Sequence, residues 1–217
     1  MRNSVFNKWV YCFCTFIFLL SCSRNGYKHA QVKEAFAGTV QSSFFKNDSI
    51  HYFKTSVSTY GKALSGILAI KQQHPDTLKV SFFTEMGVSF FDVVVTHDSY
   101  QISRCIPQLD SKMIMSTLVE DIRWVVLFNK DQLRNGIVVQ LKNKGRMVRF
   151  DYQNQYIYAE LTEENVPLKL DYVYGSKFKS KFEIRFEAFE KLLPSKVFVE
   201  HHNFNMKIDL TAISFEN

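Results

Sequence analysis

Hydrophobic and charged residues alternate along residues 178–187, FKSKFEIRFE. In this stretch Phe178, Phe182, Ile184 and Phe186 are separated by lysine, glutamate and arginine side chains. A period of two places successive side chains on opposite faces of an extended chain. The pattern therefore predicts a β-strand with one buried face and one solvated face.

The same alternation recurs along much of the chain. It is clear in residues 168–174 and in residues 203–211, where Phe204, Met206, Ile208 and Leu210 would share one face. Further strands are predicted near residues 50–59, 64–72, 77–84, 88–96, 99–105, 137–143, 146–152, 155–161 and 196–201. Eleven or twelve antiparallel strands are more than one flat sheet carries comfortably, so we predict that the sheet curls into a barrel or part-barrel.

One segment follows a helical period instead. Residues 109–129 begin with residues suited to an N-cap and then repeat Ile114, Leu118, Ile122 and Val125 at spacings of three and four. The apolar stripe is wide, so we expect this helix to lie buried across the concave side of the sheet. Residues 30–38, AQVKEAFAG, contain helix formers and end in glycine, which predicts a short helix; residues 130–137 are predicted to add a short turn.

The N-terminal residues have the pattern of an export signal. Arg2 and Lys8 precede an apolar run from Trp9 to Leu20 that is too short to span a bilayer comfortably. The sequence LLSC that ends at Cys22 resembles the bacterial lipobox, and this resemblance implies lipidation of Cys22, cleavage before it and acylation of the new amino terminus. The alternative is an ordinary signal peptide with a stray cysteine. We assign residues 1–21 to the signal peptide, 22–30 to a lipidated tether and 31–217 to one β-barrel domain.

The charge and cysteine content indicate which classes of binding partner are expected. The net charge is +6, but lysine and arginine are spread among aspartate and glutamate, so no basic stripe of the nucleic-acid type is present. A mild positive charge favours anionic headgroups, although a solvated surface explains it equally well. After cleavage and lipidation Cys105 would be the only free cysteine, which excludes an intramolecular disulfide and a cysteine metal cluster.

Motifs for catalysis or cofactor binding are lacking. The sequence has no HExxH, GxSxG, Walker A or dinucleotide-binding glycine pattern. His201 and His202 are adjacent on a predicted strand and would point to opposite faces, so they are a poor chelating pair and a surface role is expected. The carboxylate pairs 120–121 and 163–164 each fit a turn or a solvated helix face, so we expect both to be structural. We therefore predict a protein that is not an enzyme and has no metal site or cofactor.

Aromatic content suggests where a ligand would bind. The chain has 21 Phe, 10 Tyr and 2 Trp, many of them on the apolar faces of predicted strands. A curled sheet of this size encloses an apolar cavity or is filled by its own side chains. If a cavity is present, its predicted lining is Phe178, Phe182, Ile184, Phe186, Phe204, Met206, Ile208, Leu210, Ile114, Leu118 and Ile122.

Two stretches resemble a known family. Residues 65–95, SGILAIKQQHPDTLKVSFFTEMGVSFFDVVV, resemble the early hairpins of the LolA/LolB-like lipoprotein-carrier superfamily, in which a serine-glycine strand start leads to a short turn with an apolar residue before glycine. Residues 192–215 are similar to the end of LolB-type receptors. The usual glycine and proline spacing of the family is missing from residues 109–129, and Glu85 stands where LolB-type turns have proline.

This resemblance implies a half-open antiparallel β-barrel of about 11 strands with a central covering helix. The apolar interior would accept the acyl chains of lipoproteins in transit to the outer membrane. The lipid anchor favours a LolB-like receptor on the outer membrane, facing the periplasm and loaded by a periplasmic LolA-like carrier. Met86 and Gly87 would form a membrane-insertion turn; the alternative is ordinary hairpin packing.

Three classes of function remain open. The protein is a receptor for lipids or lipoproteins, a structural lipoprotein that scaffolds an envelope complex, or a hydrolase without a recognisable motif. The first requires an apolar cavity, the second a packed core with an exposed apolar patch, and the third a polar cluster at the mouth of the barrel.

Overall fold

The computed structural model describes residues 27–28, 30–42, 44, 50–59, 61–128, 131, 133–142, 144–175, 177–190 and 193–214. The predicted signal peptide, Cys22 and the first residues of the tether lie outside this part of the chain. Within it, no helix has the length and apolar character needed to cross a membrane.

Thirteen strands in the described residues form one antiparallel sheet. They are β1 (Gln31–Thr39), β2 (Ile50–Thr59), β3 (Lys62–His74), β4 (Thr77–Phe83), β5 (Ser89–Val95), β6 (Tyr100–Cys105), β7 (Arg134–Leu141), β8 (Gly145–Tyr152), β9 (Gln155–Leu161), β10 (Pro167–Tyr174), β11 (Lys179–Glu190), β12 (Leu193–His201) and β13 (Met206–Ala212). Their order across the sheet is β1-β7-β8-β9-β10-β11-β12-β13-β2-β3-β4-β5-β6.

The sheet is open rather than closed into a complete barrel. Strands β1 and β6 are its two edges, and in the described ranges neither pairs with the other. The prediction of a mainly β, open antiparallel architecture with one helix across it is confirmed. Twelve of the strands match the predicted segments, and the thirteenth is β1.

The predicted short helix at residues 30–38 is wrong, because these residues form β1. This strand pairs with β7 from Gln31 opposite Gln140 to Thr39 opposite Arg134, with two irregularities of register. A helix of nine residues is marginal by itself, whereas the edge of β7 offers a row of backbone hydrogen bonds. The turn predicted at residues 130–137 is also shorter than expected, since β7 already begins at Arg134.

The helix α1 (Lys112–Val125) lies within the predicted segment 109–129. Its buried side includes Met115, Leu118, Ile122 and Val125, which pack with strand residues in the main hydrophobic core. We call the side of the sheet that α1 covers the inner face. Alternating strand residues therefore fill the space between α1 and the sheet, as the period of two predicts.

A second, smaller core lies on the other side of the sheet, which we call the outer face. There Tyr27 is only 5% exposed and packs in one cluster with Tyr158, Val173 and their apolar neighbours. The rings of Tyr27 and Tyr158 are 4.6 Å apart between centroids. Tyr27, assigned from the sequence to the tether, thus packs into the folded body.

Candidate functional site

The space between α1 and the sheet is apolar and nearly filled. Between α1 and strands β2, β3, β4, β5 and β13 there is a cavity of about 20 Å³. That is room for about one water molecule, and an acyl chain needs far more. The cavity is lined by Thr55, Val57, Leu68, Phe82, Phe91, Leu118, Asp121, Ile122, Val125, Ile208 and Leu210.

Most of the predicted lining residues are brought together on the inner face. Four of them line the cavity: Leu118, Ile122, Ile208 and Leu210. Four more are buried in the same core outside the cavity wall, namely Phe182, Ile184, Phe186 and Met206. Ile114 and Phe204 are partly buried and pack against that core. Their role in binding a ligand stays a prediction.

Phe178 lies apart from this set. The register of β10 against β11 shifts between Tyr172 and Val173, which leaves Lys181 as an extra residue in β11. Such a bulge moves the residues beyond it to the opposite face of the sheet. Phe178 consequently packs on the outer face, where its ring stacks on Tyr156 with 5.8 Å between centroids.

A buried ion pair joins α1 to the sheet. Nε2 of His201 on β12 lies 3.0 Å and 2.9 Å from the two carboxylate oxygens of Asp121, and both side chains are 1% exposed. Burial raises the pKa of the Asp121 carboxyl above its usual value, and the hydrogen bond from His201 opposes that rise. His202 is exposed on the opposite face, so the predicted divergence of the two histidines is confirmed.

The surface role expected for this histidine pair does not hold for His201, and the solvated helix face expected for the 120–121 carboxylate pair does not hold for Asp121, because both side chains are buried. A sequence signal for the ion pair was present, because Asp121 is three residues after Leu118 and four before Val125. That spacing places its carboxylate on the apolar stripe of α1. A carboxylate in that position needs a buried partner, although the sequence does not show which residue supplies it.

Arg123 links the C-terminal half of α1 to the β5–β6 turn by hydrogen bonds. Its guanidinium donates to the backbone oxygen of Thr96 at 2.9 Å and to that of Ser99 at 2.7 Å. It also pairs with Glu120 at 3.2 Å, and Glu120 accepts a hydrogen bond from the Trp124 indole at 2.8 Å. Polar contacts therefore hold the helix to β12 on one side and to the β5–β6 turn on the other.

The β4–β5 turn presents apolar side chains to solvent. Met86 is 93% exposed and Val88 is 63% exposed. The turn is well defined: the backbone N–H of Gly87 donates to the Thr84 carbonyl at 2.9 Å, and that of Val88 donates to the Thr84 hydroxyl at 3.0 Å. Gly87 has φ of +83°, a conformation that glycine adopts without strain. An ion pair of Lys54 with Glu85 flanks the turn.

Among the described residues, no three or more His, Cys, Asp or Glu side chains are placed to hold a metal ion together. Cys105 is partly buried on β6, and its Sγ lies 3.9 Å from the Met115 sulfur. Burial raises the pKa of the Cys105 thiol, which keeps it in the less reactive protonated form.

Three solved structures are similar to this chain. A LolA superfamily protein from Nitrosomonas europaea has 11% identity and a TM-score of 0.47, over 76% of this chain and 83% of that one. A DUF1329 family protein from Desulfovibrio piger has 13% identity and a TM-score of 0.44, over 77% and 85%. An outer membrane lipoprotein-sorting protein domain from Vibrio parahaemolyticus has 9% identity and a TM-score of 0.41, over 76% and 83%. No family profile and no curated protein matches the sequence.

Proposed function

We propose that the protein is an envelope lipoprotein that binds acyl chains between α1 and the inner face of the sheet and helps to deliver lipoproteins to the outer membrane. It would be anchored through lipidated Cys22, face the periplasm and receive its cargo from a LolA-like carrier. The observation that carries the proposal is the exposed apolar turn at Met86.

A solvent-exposed turn normally carries polar residues, because an apolar side chain there stays in water. Met86 and Val88 instead extend from a hydrogen-bonded turn that fixes their direction. A flexible thioether side chain at such a tip is suited to entering the acyl region of a bilayer. The turn would act as the point at which cargo passes from protein to membrane.

The apolar wall of the cavity under α1, and not its volume, is the second support for the proposal. That wall is apolar except for Thr55 and Asp121, and α1 forms one side of it. An acyl chain would enter only if α1 moved away from the sheet, which would open the contacts of Asp121 and Arg123. The structure would then correspond to the unloaded, closed form of a carrier.

A structural lipoprotein is the second candidate, and the small volume of the cavity favours it. A sheet whose interior is filled by side chains needs no ligand, and the Met86 turn would then be a contact surface for another envelope protein. Uptake of acyl chains separates the two functions. Native mass spectrometry of the purified lipoprotein should show bound acyl chains for a carrier and a bare protein for a scaffold.

The decisive experiment measures transfer of a lipoprotein to liposomes by a Met86→Glu variant. We expect transfer to be lost, because an ionised carboxylate is strongly disfavoured among acyl chains. Thermal stability should be nearly unchanged, since exposed substitutions fall within about 0.5 kcal/mol. Val32→Glu is the matched control, because Val32 is also exposed but lies on β1 at the far edge of the sheet.

Lipoprotein transfer by the Met86→Glu protein at the rate of the parent would contradict the insertion role of the turn. Equal loss in the Val32→Glu protein would mean that added charge, rather than the turn, is responsible.

The anchor is tested separately by mass spectrometry of the mature protein and of a Cys22→Ala variant. An unmodified amino terminus in the parent protein would contradict the lipidation proposal.

A further inference from the structure

The two ends of the sheet carry opposite charge. Successive turns of an antiparallel sheet alternate between its two ends, so the turns fall into two groups. One end carries the β2–β3, β4–β5, β8–β9, β10–β11 and β12–β13 turns, together with the start of α1, which follows β6. The other end carries the β3–β4, β5–β6, β7–β8, β9–β10 and β11–β12 turns.

Lysine predominates at the end that carries Met86, which we call the basic end. Its described, exposed lysines are Lys62, Lys112, Lys177 and Lys179. The acidic residues here are fewer: Glu85 is paired with Lys54 at 3.4 Å, Asp110 precedes α1, and Asp151 lies one residue before the end of β8.

Carboxylates predominate in the turns of the other end, the acidic end. The described, exposed acidic residues of these turns are Asp76, Asp98, Glu163 and Glu164, and Glu187 and Glu190 lie in the part of β11 that leads to this end. The described basic residues of these turns are Lys142 and Lys144, of which Lys144 is paired with the buried Asp171 at 3.0 Å, and Lys196 lies near the start of β12. The folded body therefore has a charge asymmetry along its strands that the overall composition does not reveal.

Three of the six exposed large apolar side chains in the described residues lie at the basic end, whereas Val32 and Ile50 lie near the starts of β1 and β2 at the other end. Met86 and Val88 lie in the β4–β5 turn, and Met113, which is 57% exposed, lies in the first turn of α1. The start of α1 is on this end because Cys105, the last residue of β6, pairs with Phe91 near that turn. Exposed apolar residues interspersed with lysine match the interfacial zone of a bilayer with anionic headgroups.

We propose that the basic end of the sheet docks on an anionic phospholipid surface, with the strands directed away from it and the acidic end repelled. This inference rests on the proposed function, and it specifies the class of lipid that the Met86 turn meets. Each lysine near such a surface strengthens binding by about fivefold, and the attraction is screened over about 8 Å at physiological salt. Binding would therefore weaken as the salt concentration rises.

The test is flotation with vesicles of phosphatidylcholine alone or phosphatidylcholine mixed with phosphatidylglycerol. The chain from residue 23 is used, because all the strands, the helix and the ion pairs described above lie within it and no lipid anchor then holds it to vesicles. We expect this protein to bind the mixed vesicles at least tenfold more strongly than the neutral ones. The difference should shrink when salt is raised.

The variant is the double change Lys62→Glu and Lys179→Glu, and the matched control is Lys142→Glu and Lys196→Glu at the acidic end. Both change the net charge equally and affect only exposed side chains, and circular dichroism with a thermal midpoint verifies folding. We expect the first protein to lose at least tenfold in binding to the mixed vesicles, and the second to stay within about twofold of the parent.

Equal losses in the two double variants would overturn the inference, because net charge alone would then explain binding. Equal binding of the parent to both kinds of vesicle would overturn it as well. If lipoprotein transfer still depends on Met86 in either case, the proposed function stands while the anionic surface does not.

Discussion

Asp121 on α1 and His201 on β12 form an ion pair from which water is excluded, with each side chain 1% exposed and the nearer atoms 2.9 Å apart. The pair links the helix to the sheet in the interior of the protein. Because the desolvation of the Asp121 carboxyl is opposed chiefly by its hydrogen bond with His201, removal of His201 should be costly.

We predict that His201→Ala lowers the free energy of unfolding by about 3–5 kcal/mol, since it leaves the Asp121 carboxylate buried without its partner. His202→Ala is the control, because the neighbouring side chain is exposed and its removal should change stability by about 0.5 kcal/mol or less. Urea unfolding of both proteins checks the prediction. Similar midpoints for the two variants would show that the pair contributes little to holding α1.

Gly66 marks a place where the backbones of β3 and β4 approach closely. A Cβ atom at this position would lie 2.2 Å from the backbone oxygen of Phe83. We predict that Gly66→Ala destabilises the protein by about 1–3 kcal/mol, because the strands must move apart to admit the methyl group. Thermal unfolding compared with the exposed neighbour Ser65→Ala is the measurement. A Gly66→Ala protein as stable as that control would show that the sheet accommodates the methyl group freely.

Ionisation of Tyr27 makes the free energy of unfolding depend on pH in the alkaline range. Its phenol hydrogen-bonds to the Asp171 carboxylate, and its pKa is raised above the usual value, first by burial and then by that carboxylate. In the unfolded chain a tyrosine ionises near pH 10, so the unfolded state gains stability above that pH while the folded Tyr27 stays protonated. This contribution is complete below about pH 10 and is lost as pH rises further.

Unfolding at a series of alkaline pH values should therefore show a smaller fall in stability for Tyr27→Phe than for the parent. The difference in slope is expected to be about 1.4 kcal/mol per pH unit above pH 10. Near-ultraviolet absorbance titration provides an independent check, because one late-ionising tyrosine should disappear from the curve. Identical slopes in the two proteins would mean that Tyr27 ionises freely in the folded state.

Alternation of apolar and polar residues was sufficient to predict β2 to β5 and β7 to β13, because each of these strands buries residues on one face, whereas the edge strand β6 matches a predicted segment but has no buried residue. It failed for β1, where six of the nine residues are exposed and the strand is held by backbone pairing with β7. The amino-acid pattern of such an edge strand has no apolar face to detect. The helix-forming residues of this short segment therefore led to the wrong prediction of a helix at residues 30–38.

Periodicity also explains why the residues of the candidate site were predicted only in part. The residues of α1 and β13 that line the cavity follow from periodicity, whereas Phe178 does not, because the bulge at Lys181 reverses the alternation within what reads as one uninterrupted strand. The partner of Asp121 on β12 and the two backbone acceptors of Arg123 in the β5–β6 turn lie far away in the sequence. Contacts of that kind depend on strand order, which the pattern of single strands does not specify.

Strand β13 has a particular position, since it lies between β12 and β2 and joins two groups of hairpins into one sheet. The pairing runs from Met206 opposite Thr59 to Ala212 opposite Phe53. Synthesis proceeds from the N-terminus, so β2 to β6 emerge long before β13, and β2 has an unpaired edge during that interval. Unpaired edges promote aggregation, and contacts between distant segments slow folding. The yield of folded protein would then depend on whether β13 pairs with β2 before β2 associates with another chain, and a chaperone that shields β2 would raise that yield.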